Sequence, residues 1–123
     1  AAALPASVPP SDLVIDAAYG TGFHGSWTPP DIGSTRVLAV DIPSGVDALT
    51  GECPSGVLPA DRTVTFAALK PGLLLPPGSV CSGALEVADI GLDTSVQHSA
   101  PAPGWSTSRP PVSVSILRHR PRW

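Results

Sequence analysis

The sequence predicts an α/β domain built on a mainly parallel sheet, and three observations predict it. Four short apolar runs recur along the chain, closed by glycines or a proline where they end. The runs are near-continuous in apolar character rather than strictly alternating, the pattern of parallel strands packed on both faces. The chain has 123 residues, 42% of them hydrophobic, which is enough for one domain with a packed core and no more.

Residues 1–11 are rich in Ala, Pro and Ser and read as a linker or loop. Residues 13–18 (LVIDAA) form the first strand run and lead into glycines. Residues 36–42 (RVLAVDI) form the second, ended by Pro43. Residues 62–68 (RTVTFAA), rich in Thr, Val and Phe, form the third, and 84–90 (ALEVADI) the fourth. Covering helices are nearly missing. Pro29, Pro30 and Gly33 oppose a long helix between the first two runs. Segments 55–61 and 70–75 each have room for a turn or two, interrupted by Pro59 and Pro71. Such a chain cannot bury both faces of its sheet. The missing layer is expected upstream, making the fold incomplete at its N-terminus, and the chain by itself is expected to be poorly stable. The expected domain division is 1–11 linker, 12–97 sheet-bearing part of a domain, and 98–123 a Pro/Arg-rich linker or tail in which 112–117 (VSVSIL) fits an edge strand.

Charge and composition exclude several classes. Residues 1–97 hold all 10 acidic side chains and three basic ones, net −7, while 98–123 hold four arginines and no acid, net +4. An acidic body argues against nucleic acid as the main partner. The longest apolar runs fall far short of the ~20 residues that span a bilayer, so no membrane partner is expected. The chain opens with no basic-then-apolar signal. Cys53 and Cys81 are too few for a disulfide scaffold and lack basic neighbours that would activate a thiol. The expected location is therefore the cytoplasm, with idle thiols.

Three motifs can carry chemistry. Gly20, Thr21, Gly22, Phe23, His24 and Gly25, followed by Ser26, come directly after the first strand with the spacing G-x-G-x-x-G. Glycines there let a backbone approach a phosphate or ribose closely. An ordinary dinucleotide fingerprint also needs a helix N-terminus after the glycines, and Pro29 and Pro30 oppose one. His24 fits a ligand contact or a surface residue better than a base. Asp41, in DIPSG, stands at the carboxyl end of the second strand, the edge where open α/β sheets bind ligands. A turn-capping role for Asp41 explains the same residue. Ser44 offers a hydroxyl and a carbonyl to the same crevice. Asp16, inside an apolar strand, is costly as a charge unless paired or bound to a cation. Oxygen donors from Asp16 and Ser44 suit a hard cation, and His24, His98 and His119 are too scattered for zinc.

Taken in order, VIDAAYGTGFHG, VLAVDIPSGVDALTG, ADRTVTFAALKPGLL and VADIGL resemble the YjeF N-terminal domain, the NAD(P)H-hydrate epimerase family, over about residues 12–93. The wording is most similar to actinobacterial members, in which the domain is often fused to an ADP-dependent NAD(P)H-hydrate dehydratase. The resemblance implies a Rossmann-like three-layer α/β sandwich that interconverts the R and S epimers of hydrated NADH and NADPH in cofactor repair. It implies a potassium ion held by Asp16 and Ser44. It implies substrate phosphates on Gly20, Thr21, Gly22, Phe23, His24, Gly25 and Ser26, and Asp41 against the hydrated nicotinamide, where Asp41 is the candidate catalytic residue. Lys70 is a partner of Asp41 without an assigned role. The family's upstream Asn-Gly-Gly-Asp-Gly motif has no counterpart in these residues, so the chain is expected to be the C-terminal part of an epimerase domain, and a homo-oligomer is compatible with it. Two other readings stand beside this one: a fragment of an ordinary Rossmann NAD(P)-dependent oxidoreductase, and a non-catalytic module that binds a nucleotide or a partner.

Overall fold

The computed structural model describes residues 4–92 and 114–118. They form a five-stranded, wholly parallel sheet in the order β4-β3-β2-β1-β5. The strands are β1 Leu13–Ala17, β2 Arg36–Val40, β3 Arg62–Phe66, β4 Ala84–Ala88 and β5 Val114–Arg118. The expected parallel α/β sheet is what the chain forms. The expected edge strand begins two residues later and ends one residue later than read, at Val114–Arg118, and pairs with β1. The remainder of segment 98–123, with His98 and His119, lies outside the described residues.

Register fixes which side chains share a face. Val14 lies beside Val37, Asp16 beside Ala39, and Ala39 beside Thr63. All five are buried, and Leu117 of β5 joins them next to Asp16. Loop residues Trp27, Leu58 and Ala60 pack onto this face and close the main core. The opposite face carries Leu13, Ile15, Leu38, Val40, Val64 and Phe66, apolar side chains that are all half-buried. This is the consequence of too few helices: one face has a cover and the other is partly open to water.

Only short helices occur among the described residues, a 3-10 turn at Pro71–Leu73 and α1 at Gly78–Cys81. The turn lies within the expected 70–75. The helical turn expected in 55–61 does not form, because Ala60 N–H donates to the Cys81 carbonyl (2.8 Å) and Asp61 N–H to the Val37 carbonyl (2.9 Å). Those amides are committed to tertiary partners instead of a helix. In contrast, α1 forms in a segment without a helical signal.

Strands β2 and β3 also end earlier than read, for one shared reason. Asp41 (φ 71°) and Ala67 (φ 63°) are in the left-handed region. Ile42 N–H closes onto the Val40 carbonyl (3.0 Å) and Ala68 N–H onto the Phe66 carbonyl (2.7 Å). Each strand thus stops in a three-residue γ-turn of the rarer, strained hand. Both turns lie at the carboxyl edge of the sheet.

Candidate active site

Asp16, the penultimate residue of β1, has its side chain fully buried. Its Oδ2 accepts the Ser44 N–H (2.8 Å) and its Oδ1 accepts the Ser44 hydroxyl (2.6 Å) and, more weakly, the Ala18 N–H (3.4 Å). Burial pushes the carboxyl above its ordinary range, and the Ser44 and Ala18 donors pull the other way. Among the described residues no cationic side chain pairs with it. The Ser44 hydroxyl also accepts the Tyr19 N–H (2.9 Å), and the Tyr19 carbonyl is 3.3 Å away. A carboxylate, a hydroxyl and a carbonyl oxygen therefore converge between the ends of β1 and β2. The donor chemistry fits a hard cation such as potassium: all oxygen, one buried negative charge, no soft ligand. No group of three or more His, Cys, Asp and Glu converges among the described residues.

The position of Ser44 is imposed by its neighbour. Gly45 has φ 96°, and a Cβ there would come 2.1 Å from the Gly56 carbonyl oxygen and 2.5 Å from Trp27 Nε1. Only glycine lets the DIPSG turn dock against the Trp27–Gly56 hydrogen bond (3.1 Å). Trp27 in turn stands edge-on to Tyr19, whose ring lies 4.1 Å from that of Phe23. An aromatic stack thus connects the buried Asp16–Ser44 pair to the glycine loop.

That loop is open. Gly20, Thr21, Gly22, His24, Gly25 and Ser26 are exposed and Phe23 is half-buried. Nothing lies within 4 Å of where a Cβ would stand at Gly20 or Gly22. The chain's own packing does not demand glycine at either position, whereas a ligand lying on the backbone would. No helix follows the loop, so the N-terminus needed by an ordinary dinucleotide fingerprint is not supplied there. Phe23, His24 and Gly25 form one wall of a cavity of about 180 Å³, and Gly45, Val46, Asp47, Pro54 and Ser55 form the other. The second wall was not anticipated. Its signal lay in VDALTG after DIPSG, since an Asp two residues past a glycine turn can fold back on its own loop. Asp47 does so: the Thr50 and Leu49 amides donate to its Oδ1 and hold the carboxyl below its ordinary range, with a smaller pull from His24 across the cavity.

Asp41 lies two residues beyond Ala39, the neighbour of Asp16 in the sheet. It is half-buried where Asp16 is sealed, so only one of the two carboxylates is open to solvent. Its amide donates to the Val64 carbonyl (2.7 Å), tying the γ-turn to β3. Its Oδ1 accepts the Thr65 hydroxyl (3.1 Å), the Phe66 N–H (3.3 Å) and the Lys70 ammonium. Lys70, unassigned from sequence, also donates to Thr65 Oγ1 (2.7 Å) and the Phe66 carbonyl (3.0 Å). Cys53 and Cys81 are free, and burial together with the neighbouring Cys81 sulfur pushes the Cys53 thiol up to about 11. Such a thiol is no nucleophile at neutral pH.

Residues 1–72 match the family described as YjeF-related protein N-terminus. The chain belongs to that family. The stretch shared with the YjeF-related family contains Asp16, residues 20–26, Asp41, Ser44 and Lys70. The bifunctional NAD(P)H-hydrate repair enzyme Nnr of Moorella thermoacetica is 44% identical over 90 residues, covering 67% of this chain and 17% of that protein. The NAD(P)H-hydrate epimerase of Microbacterium testaceum is 40% identical over 87 residues, covering 71% of this chain and 31% of its own length. That of Clavibacter michiganensis is 52% identical over 64 residues, about half of this chain and 28% of the relative. The chain therefore spans less than a third of the length of these relatives. Among the described residues no helix is long and apolar enough to cross a membrane.

Proposed function

We propose that this chain is the part of an NAD(P)H-hydrate epimerase that carries the glycine loop, the ion-binding oxygens and the reacting carboxylate, and that it acts on the R and S forms of hydrated NADH and NADPH. The observation that carries this reading is the span of the family match, which encloses every candidate site residue. The bifunctional relatives extend it to a parent protein with a dehydratase half. The absence of a helix after the glycine loop disfavours an ordinary oxidoreductase. A cytoplasmic location goes with free, unactivated thiols.

The chemistry follows from which groups face the crevice. Interconverting the epimers requires the bond between ring carbon and hydroxyl to break and re-form on the other face. When it breaks, the electron pair leaves with oxygen, the carboxyl of Asp41 delivers the proton that makes the leaving group water, and the ring is left as an iminium cation. When water returns to the opposite face, the Asp41 carboxylate takes the proton back, so no net proton is consumed. The same negative charge stabilises the cation in between. The open backbone at Gly20 and Gly22 receives the phosphates, and the ring of Phe23 walls the cavity beside them. A potassium ion at Asp16, Ser44 and the Tyr19 carbonyl would compensate the buried charge and fix the strand ends. The test is a chromatographic time course from the pure R epimer with the full chain, corrected for the uncatalysed rate. Acceleration toward the S epimer is expected. Tight binding of intact NADPH without acceleration would replace this reading by that of a dinucleotide-binding module.

A further inference from the structure

We infer that Lys70 is a positioning residue for Asp41: it clamps Oδ1 so that Oδ2 alone is presented to the substrate. The inference rests on the proposed epimerase reading and deepens it. The two oxygens of Asp41 are treated differently by the fold. Oδ1 collects three donors, from Lys70, Thr65 and the Phe66 amide, while Oδ2 accepts no hydrogen bond from the described residues. Both side chains of the ion pair remain 22% exposed, so the free oxygen is open to solvent rather than sealed in the core.

The clamp is itself rigid. Lys70 Nζ has three acceptors, Asp41 Oδ1, Thr65 Oγ1 and the Phe66 carbonyl, which match its three N–H bonds. Thr65 is fully buried on β3, and Lys70 immediately precedes the 3-10 turn at Pro71–Leu73, whose Gly72 amide is anchored to the Ala48 carbonyl (2.8 Å). A saturated ammonium between two fixed elements is unsuited to reaching out to a phosphate. Its geometry serves one purpose, holding a carboxylate that stands on a strained γ-turn and would otherwise rotate about its χ torsions. A proton donor in a fixed direction is worth more than the same group with free rotation, because misplacement by about 1 Å can reduce a rate by about 10²-fold.

The experiment compares Lys70→Met, Lys70→Arg, Thr65→Val and Asp41→Asn in the full chain, measuring kcat and KM for the R epimer of hydrated NADPH. Lys70→Met is expected to lower kcat about 10–100-fold with KM within about twofold of wild type. Lys70→Arg, which keeps the charge and donors, is expected to recover most of the loss. Thr65→Val, nearly isosteric, removes one donor from Oδ1 and keeps the test available if Lys70→Met does not fold; a kcat loss of about 3–10-fold is expected. In a double-mutant cycle, Lys70→Met added to Asp41→Asn should cause no further loss, because the clamp has nothing left to hold. Wild-type kcat in Lys70→Met, or a rise in KM alone, overturns the inference. If that occurs while Asp41→Asn is inactive, the epimerase reading stands and only the role of Lys70 falls. If Asp41→Asn retains wild-type kcat, the roles of Asp41 and Lys70 fall while the epimerase activity stands; if the wild-type chain does not accelerate the reaction, both readings fall together.

Discussion

Two carboxylates at the ends of neighbouring strands are handled in opposite ways. Asp16 is sealed, shares both oxygens with Ser44, has no cationic partner among the described residues, and is pushed toward its neutral form by burial. Asp41 is half-exposed, paired with a lysine, and keeps one oxygen without a donor among the described residues. On the proposed reading the difference separates two tasks. A sealed carboxylate in an oxygen-rich pocket suits binding an ion that never leaves, and a tethered carboxylate at the rim suits a proton that must come and go.

Breaking the rim side should have the largest effect. Asp41→Asn keeps the shape and loses the proton, so epimerisation from the pure R form should fall by about 10²–10⁴-fold while hydrated NADPH still binds. Wild-type rates in this variant would leave Asp41 as a residue that only ends its strand. The buried side is best broken from outside. Gly45→Ala forces a Cβ onto the Gly56 carbonyl at 2.1 Å in a left-handed backbone, which should lower stability by about 3 kcal/mol in urea unfolding. An unchanged midpoint would mean that the turn relaxes without disturbing Ser44. Asp16→Ala orphans the Ser44 amide and hydroxyl inside the protein and should cost about 2–4 kcal/mol. Potassium chloride, relative to sodium chloride, should raise the wild-type midpoint and leave that of Asp16→Ala unmoved. Equal salt effects on both proteins would remove the ion from this pocket.

The smallest effect sharpens the contrast with a third acid that is neither sealed nor paired. The amides of Thr50 and Leu49 lower the Asp47 pKa below its ordinary 3.8. The folded state therefore holds its proton less tightly than the unfolded chain. The stabilisation is complete above pH 3.8 and is lost as pH falls below it through the folded value. Urea midpoints measured from pH 5 to pH 3 should show a shallower acid loss in Asp47→Asn than in wild type. An identical slope would assign the acid loss to other carboxylates.

The parts of this arrangement that the sequence made legible are those with a local signature. Apolar runs located β1 to β4, glycines marked the open loop, and the cost of a charge inside an apolar strand marked Asp16 as a residue that needs a partner or a cation. What stayed hidden depends on long-range geometry. Lys70 is 29 residues from Asp41, and although the resemblance names it as a partner, nothing local states that its ammonium takes Oδ1 together with Thr65 and the Phe66 carbonyl. The early ends of β2 and β3 come from Asp41 and Ala67 at positive φ, and Ala67 is a residue type that gives no hint of it. The absent turn in 55–61 reflects amides taken by Val37 and Cys81 carbonyls that belong to other elements.

The half-covered face of the sheet has a thermodynamic consequence. Leu13, Ile15, Leu38, Val40, Val64 and Phe66 already meet water in the folded chain, so unfolding adds less new apolar surface than is usual for this length. Hydration of newly exposed apolar groups sets the heat-capacity increment, typically about 12–15 cal/mol/K per residue. The increment here should lie below that range, and the urea m-value should be reduced with it. A small increment flattens the curve of stability against temperature. The chain should then have low maximal stability that changes little between cold and warm conditions, and its cold-unfolding limb should lie far below freezing.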